Sequence, residues 1–542
     1  MNVIKDKIIY STLEPKPEQP NQPYIERLLS EINQELDDTG DRDWLVDTET
    51  GSSRTISQIE PISRRVASAL LSLGFGPGDV LQTGYSSCLD FYWPVFGAWL
   101  CGGTVSLGDP NLSETNIKKQ LEETKAKVLV SSIDYLDKYY KVIQELKLQG
   151  KNVKYFILDA GEQDTLPLGV ESFQTLMRVQ ETQKMPLLLD FTPDRESIIM
   201  WSSGSSGTPK GILHSQKNLL NLYFGHDLKP KTIISSALMF HISSFTFNLT
   251  LGILKGTICY IMKEKCFSGE NLLKVAEKIQ PEHVFCGVSQ YIQVSNTKTN
   301  GYNLNGVKNI TPLGGAVSPG CSEKVLSLLG SQATLVEMYG STEVMFVSKH
   351  EVKDIEFGLL GSLAAGVEIC IQDINTGERL DPGKEGKIMV KTNTMMMRYL
   401  NREKETNEFF DSDGFGFTGD IGYYDNFGKI FFSYRMREVL KVDNYWFGPA
   451  EIENLLEKEP TIDEACVWGE YDPNTGNDQV NLGIVQKQNQ KEWTKAKICS
   501  LVDANLPCTR KITGKIYFVE KIPHNPQGKK LRGEMKNFMK QP

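Results

Sequence analysis

The chain has 542 residues, of which 40% are hydrophobic and 23% charged, and carries a formal net charge of -9. That length exceeds what one core usually holds, so two or more packed units are expected, and the composition excludes a disordered or fibrous chain. The acidic balance, with only short mixed basic runs such as Lys529-Lys530-Leu531-Arg532, argues against nucleic acid or a bulk anionic membrane surface as a partner.

The opening residues, Met1 to Lys7, lack the apolar run of a signal peptide, and no later segment is apolar enough to span a bilayer. The ten cysteines show no pair at metal-ligand or redox spacing and read as reduced thiols. With Phe538-Met539-Lys540-Gln541-Pro542 at the end in place of a Ser-Lys-Leu address, a cytoplasmic setting is the expectation.

Helix-like and strand-like stretches alternate through the first half. Val66-Ala67-Ser68-Ala69-Leu70-Leu71 leads to the turn Gly74-Phe75-Gly76-Pro77-Gly78-Asp79 and a strand from Val80, and the strand-like Lys127 to Ser132 precedes a Tyr/Lys-rich helix. This rhythm predicts an α/β fold of layered parallel-type sheets covered by helices. From about residue 356 short strands alternate with Gly, Asp and Asn turns, which predicts a β-rich subdomain. After Arg435 come a helix opened by Pro449, a strand near Cys466-Val467-Trp468 and a last helix beyond Lys529. The expected division is a large unit over residues 1–435 and a small α+β unit over residues 436–542.

The segment richest in chemistry is Ser202-Ser203-Gly204-Ser205-Ser206-Gly207-Thr208-Pro209-Lys210-Gly211, which follows the apolar run Ser197 to Trp201 and precedes a helix from about Gln216. Read as strand, loop and helix, it turns backbone N–H groups, hydroxyls and the Lys210 ammonium toward a bound phosphate. Its spacing is not that of a Walker A loop, which ends in Gly-Lys-Ser/Thr. Alone it is matched by an ordinary flexible Gly/Ser loop. Downstream stand Thr311-Pro312-Leu313-Gly314-Gly315-Ala316, Met338-Tyr339-Gly340-Ser341-Thr342-Glu343, Phe417-Thr418-Gly419-Asp420, Tyr434-Arg435 and Pro526-Gln527-Gly528-Lys529.

In order and approximate spacing these segments resemble the core motifs of the acyl-adenylate-forming ligases, the family of 4-coumarate and fatty acyl CoA ligases, beetle luciferases and peptide-synthetase adenylation domains. The resemblance runs over nearly the whole chain. It implies ATP, magnesium and coenzyme A as cofactors, a small-molecule carboxylic acid as substrate, a β-barrel-like subdomain and a small C-terminal domain that moves. Carried over by position, Ser203, Gly204, Ser205, Ser206, Gly207, Thr208 and Lys210 would hold the β- and γ-phosphates. Gly315 and Ala316 would let the backbone approach adenine, Tyr339 would lie against its face, and Gly340 and Ser341 continue that segment. Thr342 would donate to the α-phosphate, Glu343 would help hold magnesium, and Asp420 with Arg435 would take the ribose.

The resemblance also implies that His241, in Phe240-His241-Ile242, borders the acyl carboxylate, with Phe245, Gly314 and Gly315 shaping the pocket. Lys529 is expected to enter the site for adenylation, and Lys441 and Asn444 to line a thiol tunnel after the small domain turns about Tyr434-Arg435. The sequence departs from the family pattern at the hinge, with Tyr434 for aspartate and Arg437 for lysine, and near the tunnel, with Asn444 for glycine. Three functions follow: a CoA ligase, a luciferase-like monooxygenase that oxidises its adenylate, and a nucleotide-binding regulator without turnover.

Overall fold

The helix Ile59–Ser72 buries Ile59, Ser63, Val66, Ala67 and Leu70, a stripe at the helical period. It stops at Gly74, which takes φ 74° and closes a Schellman motif: its N–H reaches the Leu71 carbonyl at 2.8 Å and that of Phe75 the Leu70 carbonyl at 2.9 Å. The next strand, Val80–Gly84, is buried at every position, the pattern of a strand covered on both faces. Helix and strand here follow the alternation read from the sequence. So do the strand Val128–Ser131 and the helix Leu136–Leu148.

The computed structural model describes the chain except residues 1, 14–21, 181–191, 203–208, 223–227, 298–300, 316, 318, 331–332, 353–357, 443–444, 473–474, 476, 488–492, 508–509, 525–529 and 540–542. Three sheets build the large part of the molecule. The eight-stranded sheet runs in the order Arg398–Tyr399, Lys210–Ser215, Glu196–Ser202, Thr104–Leu107, Val80–Gly84, Val128–Ser131, Lys154–Ile157, Val170–Ser172. The nine-stranded sheet includes the parallel strands Asn309–Leu313 and Thr334–Ser341, the latter also paired antiparallel with Met345–Val352. Both sheets contribute to one core, with Leu81, Val105 and Ile198 from the first and Leu45, Ile233 and Phe285 from the second. The aromatic rings of Trp44, Tyr92, Phe96, Trp99 and Phe245 fill it. The buried indoles of Trp44 and Trp99 donate to the carbonyls of Asn248 (3.1 Å) and Ser197 (3.0 Å), so their burial leaves no orphan donor.

Three expectations are corrected. The sheets are mixed rather than parallel, because antiparallel strands join at their margins, some from the neighbouring stretch of chain and one, Arg398–Tyr399, from far along it. The Ser/Gly segment does not lead into a helix. It joins Glu196–Ser202 to the antiparallel strand Lys210–Ser215, with Ser202 opposite Lys210, and the helix Gln216–Leu222 comes only after that strand. The apolar, buried Gly211-Ile212-Leu213 explains the extra strand. The β-rich unit, finally, is a six-stranded antiparallel sheet that recruits the N-terminal strands Val3–Lys5 and Ile8–Tyr10 alongside Glu368–Gln372, Gly386–Lys391, Gly416–Tyr424 and Ile430–Arg435. Pairing among the described residues leaves it open rather than closed into a barrel.

From Leu440 onward the chain has a core of its own, including Phe447, Ile452, Leu482 and Ile498. It packs around the strands Ile462–Asp472, Asn477–Gln486 and Ile516–Phe518 and the helix Ala450–Glu457. An ion network under this layer ties the last helix down. Glu453, 3% exposed, accepts from the Val467 N–H at 2.7 Å and meets Arg532 at 2.7 Å and Lys530 at 3.4 Å. Lys530 also meets Glu457 at 2.8 Å, and Arg532 meets Glu438 at 2.9 Å. Among the described residues no helix is long and apolar enough to cross a membrane, and no cysteine forms a disulfide.

Because Glu453 answers two cations that have little water to turn to, Glu453→Ala is expected to destabilise the C-terminal unit by about 3–5 kcal/mol. Denaturant unfolding followed through the C-terminal Trp468 and Trp493 measures this. A loss near zero would mean that the cations find other partners.

Candidate active site

The site is built around a turn. The register of the strand Thr334–Ser341 with Met345–Val352 shifts between Tyr339 and Gly340, and the pairing runs on to Ser341 opposite Met345, where the chain turns. A Cβ on Gly340 would run into the Met345 carbonyl, so only glycine lets the two strands close here. Met345 itself adopts φ 58°, a left-handed conformation that costs a non-glycine residue roughly 1–2 kcal/mol. Val344 and Met345 are fully or almost fully buried, which holds the strained turn in place. Tyr339, Ser341, Thr342 and Glu343 thus project from a rigid corner.

Tyr339 meets the six-stranded sheet, and Thr342 and Glu343 meet the eight-stranded one. Tyr339 donates its hydroxyl to Asp420 Oδ2 at 2.7 Å. Asp420 lies on Gly416–Tyr424, directly opposite Arg435 on Ile430–Arg435, and Arg435 Nε stands 2.8 Å from Asp420 Oδ1. Arg435 also donates to the Thr418 carbonyl at 3.0 Å, and Thr418 Oγ1 accepts from the Asp420 N–H at 3.2 Å. Gly419 between them takes φ 80°, with its Cβ direction 3.4 Å from the Arg435 guanidinium. Burial, and then the Asp420 charge, push the Tyr339 phenol well above its usual range, so it remains a donor. The structure therefore brings Tyr339, Asp420 and Arg435 together.

Glu343 belongs to a second cluster. Its Oε1 accepts from the Tyr399 hydroxyl at 3.0 Å and its carbonyl from the Met396 N–H at 2.7 Å. Lys210 Nζ lies 5.2 Å from the centroid of the same Tyr399 ring, within cation–π range. The Thr342 carbonyl accepts from His214 Nε2 at 2.7 Å. A carbonyl cannot donate, so this fixes the proton of the neutral ring on Nε2. His214 is fully buried, and burial lowers its pKa to about 4, so it is uncharged at neutral pH. Sequence reasoning left His214 unassigned and missed Tyr399; His214 stands just after the Ser/Gly segment, whereas Tyr399 stands beside none of the motifs.

His241 precedes the helix Ile242–Thr250 in an extended conformation, half-buried, with the Phe240 ring 4.7 Å away. Burial lowers its pKa to about 4 as well, which makes it a neutral hydrogen-bonding group rather than a cation. Phe245 departs from expectation: it is 0% exposed, packed on Phe91, Tyr92 and Trp99, and offers no surface to a ligand. Gly314 and Gly315 are exposed at the end of Asn309–Leu313, with Gly314 at φ 97°. Lys441 is half-buried on Leu440–Val442, and its N–H donates to Asp478 at 2.8 Å. Ser203, Gly204, Ser205, Ser206, Gly207, Thr208, Ala316, Asn444 and Lys529 lie outside the described residues.

A further acid, Glu337, was not read from the sequence. It is half-buried on the strand that carries Tyr339, near Tyr291, with no hydrogen-bond or ion-pair partner among the described residues, and burial pushes its carboxyl up to about 7. A folded pKa above the ordinary 4.5 means that folding favours the protonated acid. Its contribution to stability is complete below about pH 4.5 and is lost as pH rises through about 7. Glu337→Gln should therefore raise the thermal midpoint at about pH 8 by a few degrees, with the gain vanishing near pH 4.5. A gain independent of pH would show that ionisation of Glu337 is not its source.

Residues 32–400 match the family model of the AMP-binding enzymes, and residues 451–529 match that of the AMP-binding enzyme C-terminal domain. The 4-coumarate–CoA ligase 2 of Petroselinum crispum is 27% identical over 523 residues, which cover 92% of this chain and 91% of that one. The anthranilate CoA ligase AuaEII in complex with anthranoyl-AMP superposes with a TM-score of 0.83 at 18% identity, covering 96% and 98% of the two chains. The luciferase-like enzyme of the nonluminescent mealworm Zophobas morio superposes with a TM-score of 0.69 at 24% identity, covering 79% and 98%. With the family model matched over residues 32–400 and the C-terminal model over residues 451–529, this protein is a member of the AMP-binding enzyme family, the adenylate-forming enzymes.

Proposed function

We propose that the protein activates a carboxylic acid as its acyl-adenylate, releasing pyrophosphate, and then transfers the acyl group to the thiol of coenzyme A. The observation that carries the reading is the buried Asp420 carboxylate, held by Tyr339 at 2.7 Å and Arg435 at 2.8 Å beside the Thr342-Glu343 turn. Asp420 can accept from the two ribose hydroxyls, because each carboxylate oxygen has a lone pair left after its present contact. Tyr339 then lies against the purine, and the nucleotide's phosphates run toward Thr342, Glu343 and Lys210.

In the first half-reaction an oxygen of the substrate carboxylate attacks the α-phosphorus, an acyl–O–P bond forms, and the bond to the β-phosphate oxygen breaks. Thr342 donates to the α-phosphate, and Lys210 with the segment 203–208 orients the departing pyrophosphate. Lys529 meets the negative charge that gathers on the equatorial oxygens, which is worth more in the transition state than before it. His241, neutral, borders the acyl carboxylate without competing for it as a cation. Glu343 is a fitting support for magnesium. Among the described residues no group of three or more ligating side chains could hold a metal alone, and magnesium takes one or two carboxylates and completes its shell with water and phosphate. When bound, it supplies charge neutralisation on the phosphates.

In the second half-reaction the thiolate attacks the acyl carbonyl and AMP leaves. Lys441 and Asn444, on a rotated C-terminal unit, are the residues we assign to the pantetheine passage. The similarity to a plant 4-coumarate–CoA ligase over nine-tenths of both chains supports coenzyme A as acceptor.

Pyrophosphate release from ATP and magnesium, with a panel of carboxylic acids, tests the reading. It predicts acid-dependent release that rises with coenzyme A and falls roughly 100-fold or more in Lys529→Ala. Release indifferent to coenzyme A would favour oxidation of the adenylate or another acceptor. Bound ATP with no release across the panel would favour a regulator without turnover.

A further inference from the structure

Lys210 and Glu343 present an unusual arrangement. One is a cation, the other an anion, and both sit against the same tyrosine, yet they form no ion pair with each other. The Lys210 ammonium is 5.2 Å from the centroid of the Tyr399 ring and makes no ion pair with any described residue. Glu343 Oε1 is engaged by the Tyr399 hydroxyl at 3.0 Å. Opposite charges this close to one ring attract, and a direct pair would occupy both groups. Tyr399 engages both instead: the ring gives the ammonium a weak, easily surrendered partner, and the hydroxyl holds one carboxylate oxygen while the other has no partner among the described residues.

Tyr399 is itself held where it must be. It is 8% exposed, its N–H donates to Thr406 Oγ1 at 3.0 Å, and it pairs with Ile212 in the strand that begins at Lys210. The flanking N–H groups of Met397 and Leu400 donate to the carbonyls of Leu213 and Gly211, each at 2.8 Å. Met396 N–H reaches the Glu343 carbonyl at 2.7 Å, so one short segment grips the Lys210 strand and the Glu343 turn together. Burial, and then the Glu343 charge, push the Tyr399 phenol far up, so the hydroxyl is a permanent donor.

We propose that Tyr399 is a positioning residue for magnesium–ATP: it keeps Lys210 and Glu343 apart, so that the ammonium is free for a phosphate oxygen and the second carboxylate oxygen for the metal. The inference rests on the adenylation reading, and the test separates the two. ATP binding to the full chain is measured calorimetrically over a magnesium series, without carboxylic acid, for wild type, Tyr399→Phe, Tyr399→Leu and Glu343→Gln. In Tyr399→Phe the ring stays and the hydroxyl goes, and the magnesium concentration for half-maximal ATP binding should rise about tenfold or more. Binding of ATP in the absence of magnesium should be unchanged in that variant and weakened several-fold in Tyr399→Leu, which also loses the platform for Lys210.

The double variant Tyr399→Phe/Glu343→Gln should be no more magnesium-dependent than Glu343→Gln alone, since both changes act through the same oxygen atoms. A Tyr399→Phe protein with wild-type magnesium dependence would overturn the inference while leaving the adenylation reading standing. So would a loss of ATP binding that is equal with and without magnesium and follows a fall in thermal stability. A wild type that binds no ATP at any magnesium concentration would overturn both.

Discussion

Five residues, Tyr339 to Glu343, hold the three sheets of the large unit to one another. The turn begins in the nine-stranded sheet, reaches the six-stranded sheet through Tyr339 and Asp420, and reaches the eight-stranded sheet twice, through His214 to Thr342 and Tyr399 to Glu343. Every contact is made by a polar group that burial has deprived of water, so each bond is costly to leave unmade. The strain at Met345 and the absence of room for a Cβ at Gly340 persist because these bonds and the buried Val344 over-determine the corner. The sheets do not merely pack side by side; they share a corner, and the proposed site is built on it.

Charge at that corner is placed with little waste. Histidines at positions 214 and 241 are kept neutral by burial, so neither adds a cation to the site, and in the proposed reaction the cations are left to Lys210 and Lys529. Asp420 is compensated by Arg435, and Tyr339 and Tyr399 both stay protonated donors. Dipoles and charges fixed by the fold in this way need no reorganisation when a polyphosphate arrives, which is the condition under which they lower a barrier most. In the C-terminal unit Lys530 is likewise compensated, by Glu453 and Glu457.

The sequence made visible what is encoded locally. The helix Ile59–Ser72, its glycine stop and the strand from Val80 could be read because amphipathic period, cap and turn chemistry agree there. Tyr339, Asp420 and Arg435 could be named because they stand in recognisable motifs, though nothing in their spacing, 81 residues between the first two, foretells a hydrogen bond. What escaped was decided by tertiary structure. The strand Lys210–Ser215 was read as the approach to a helix because a short apolar run before Gln216 has no period of its own until its partners on both sides are known. The same is true of Ile8–Tyr10, which pairs with the distant Glu368–Gln372, and of Val3–Lys5, which pairs in turn with Ile8–Tyr10. Phe245 was taken for a pocket wall, and only the surrounding rings of Phe91, Tyr92 and Trp99 reveal it as core. His214 and Tyr399 act on their neighbours through single atoms, a relation that no linear pattern carries.

The central claim is that the nucleotide is held at the shared corner, by Tyr339 against the purine and Asp420 on the ribose. A crystal structure of the protein with AMP tests it most directly. The account predicts the ribose hydroxyls within hydrogen-bond distance of Asp420, the ring against Tyr339 and the phosphate at Thr342. A nucleotide bound elsewhere, with Asp420 still enclosed by Tyr339 and Arg435 alone, would contradict it.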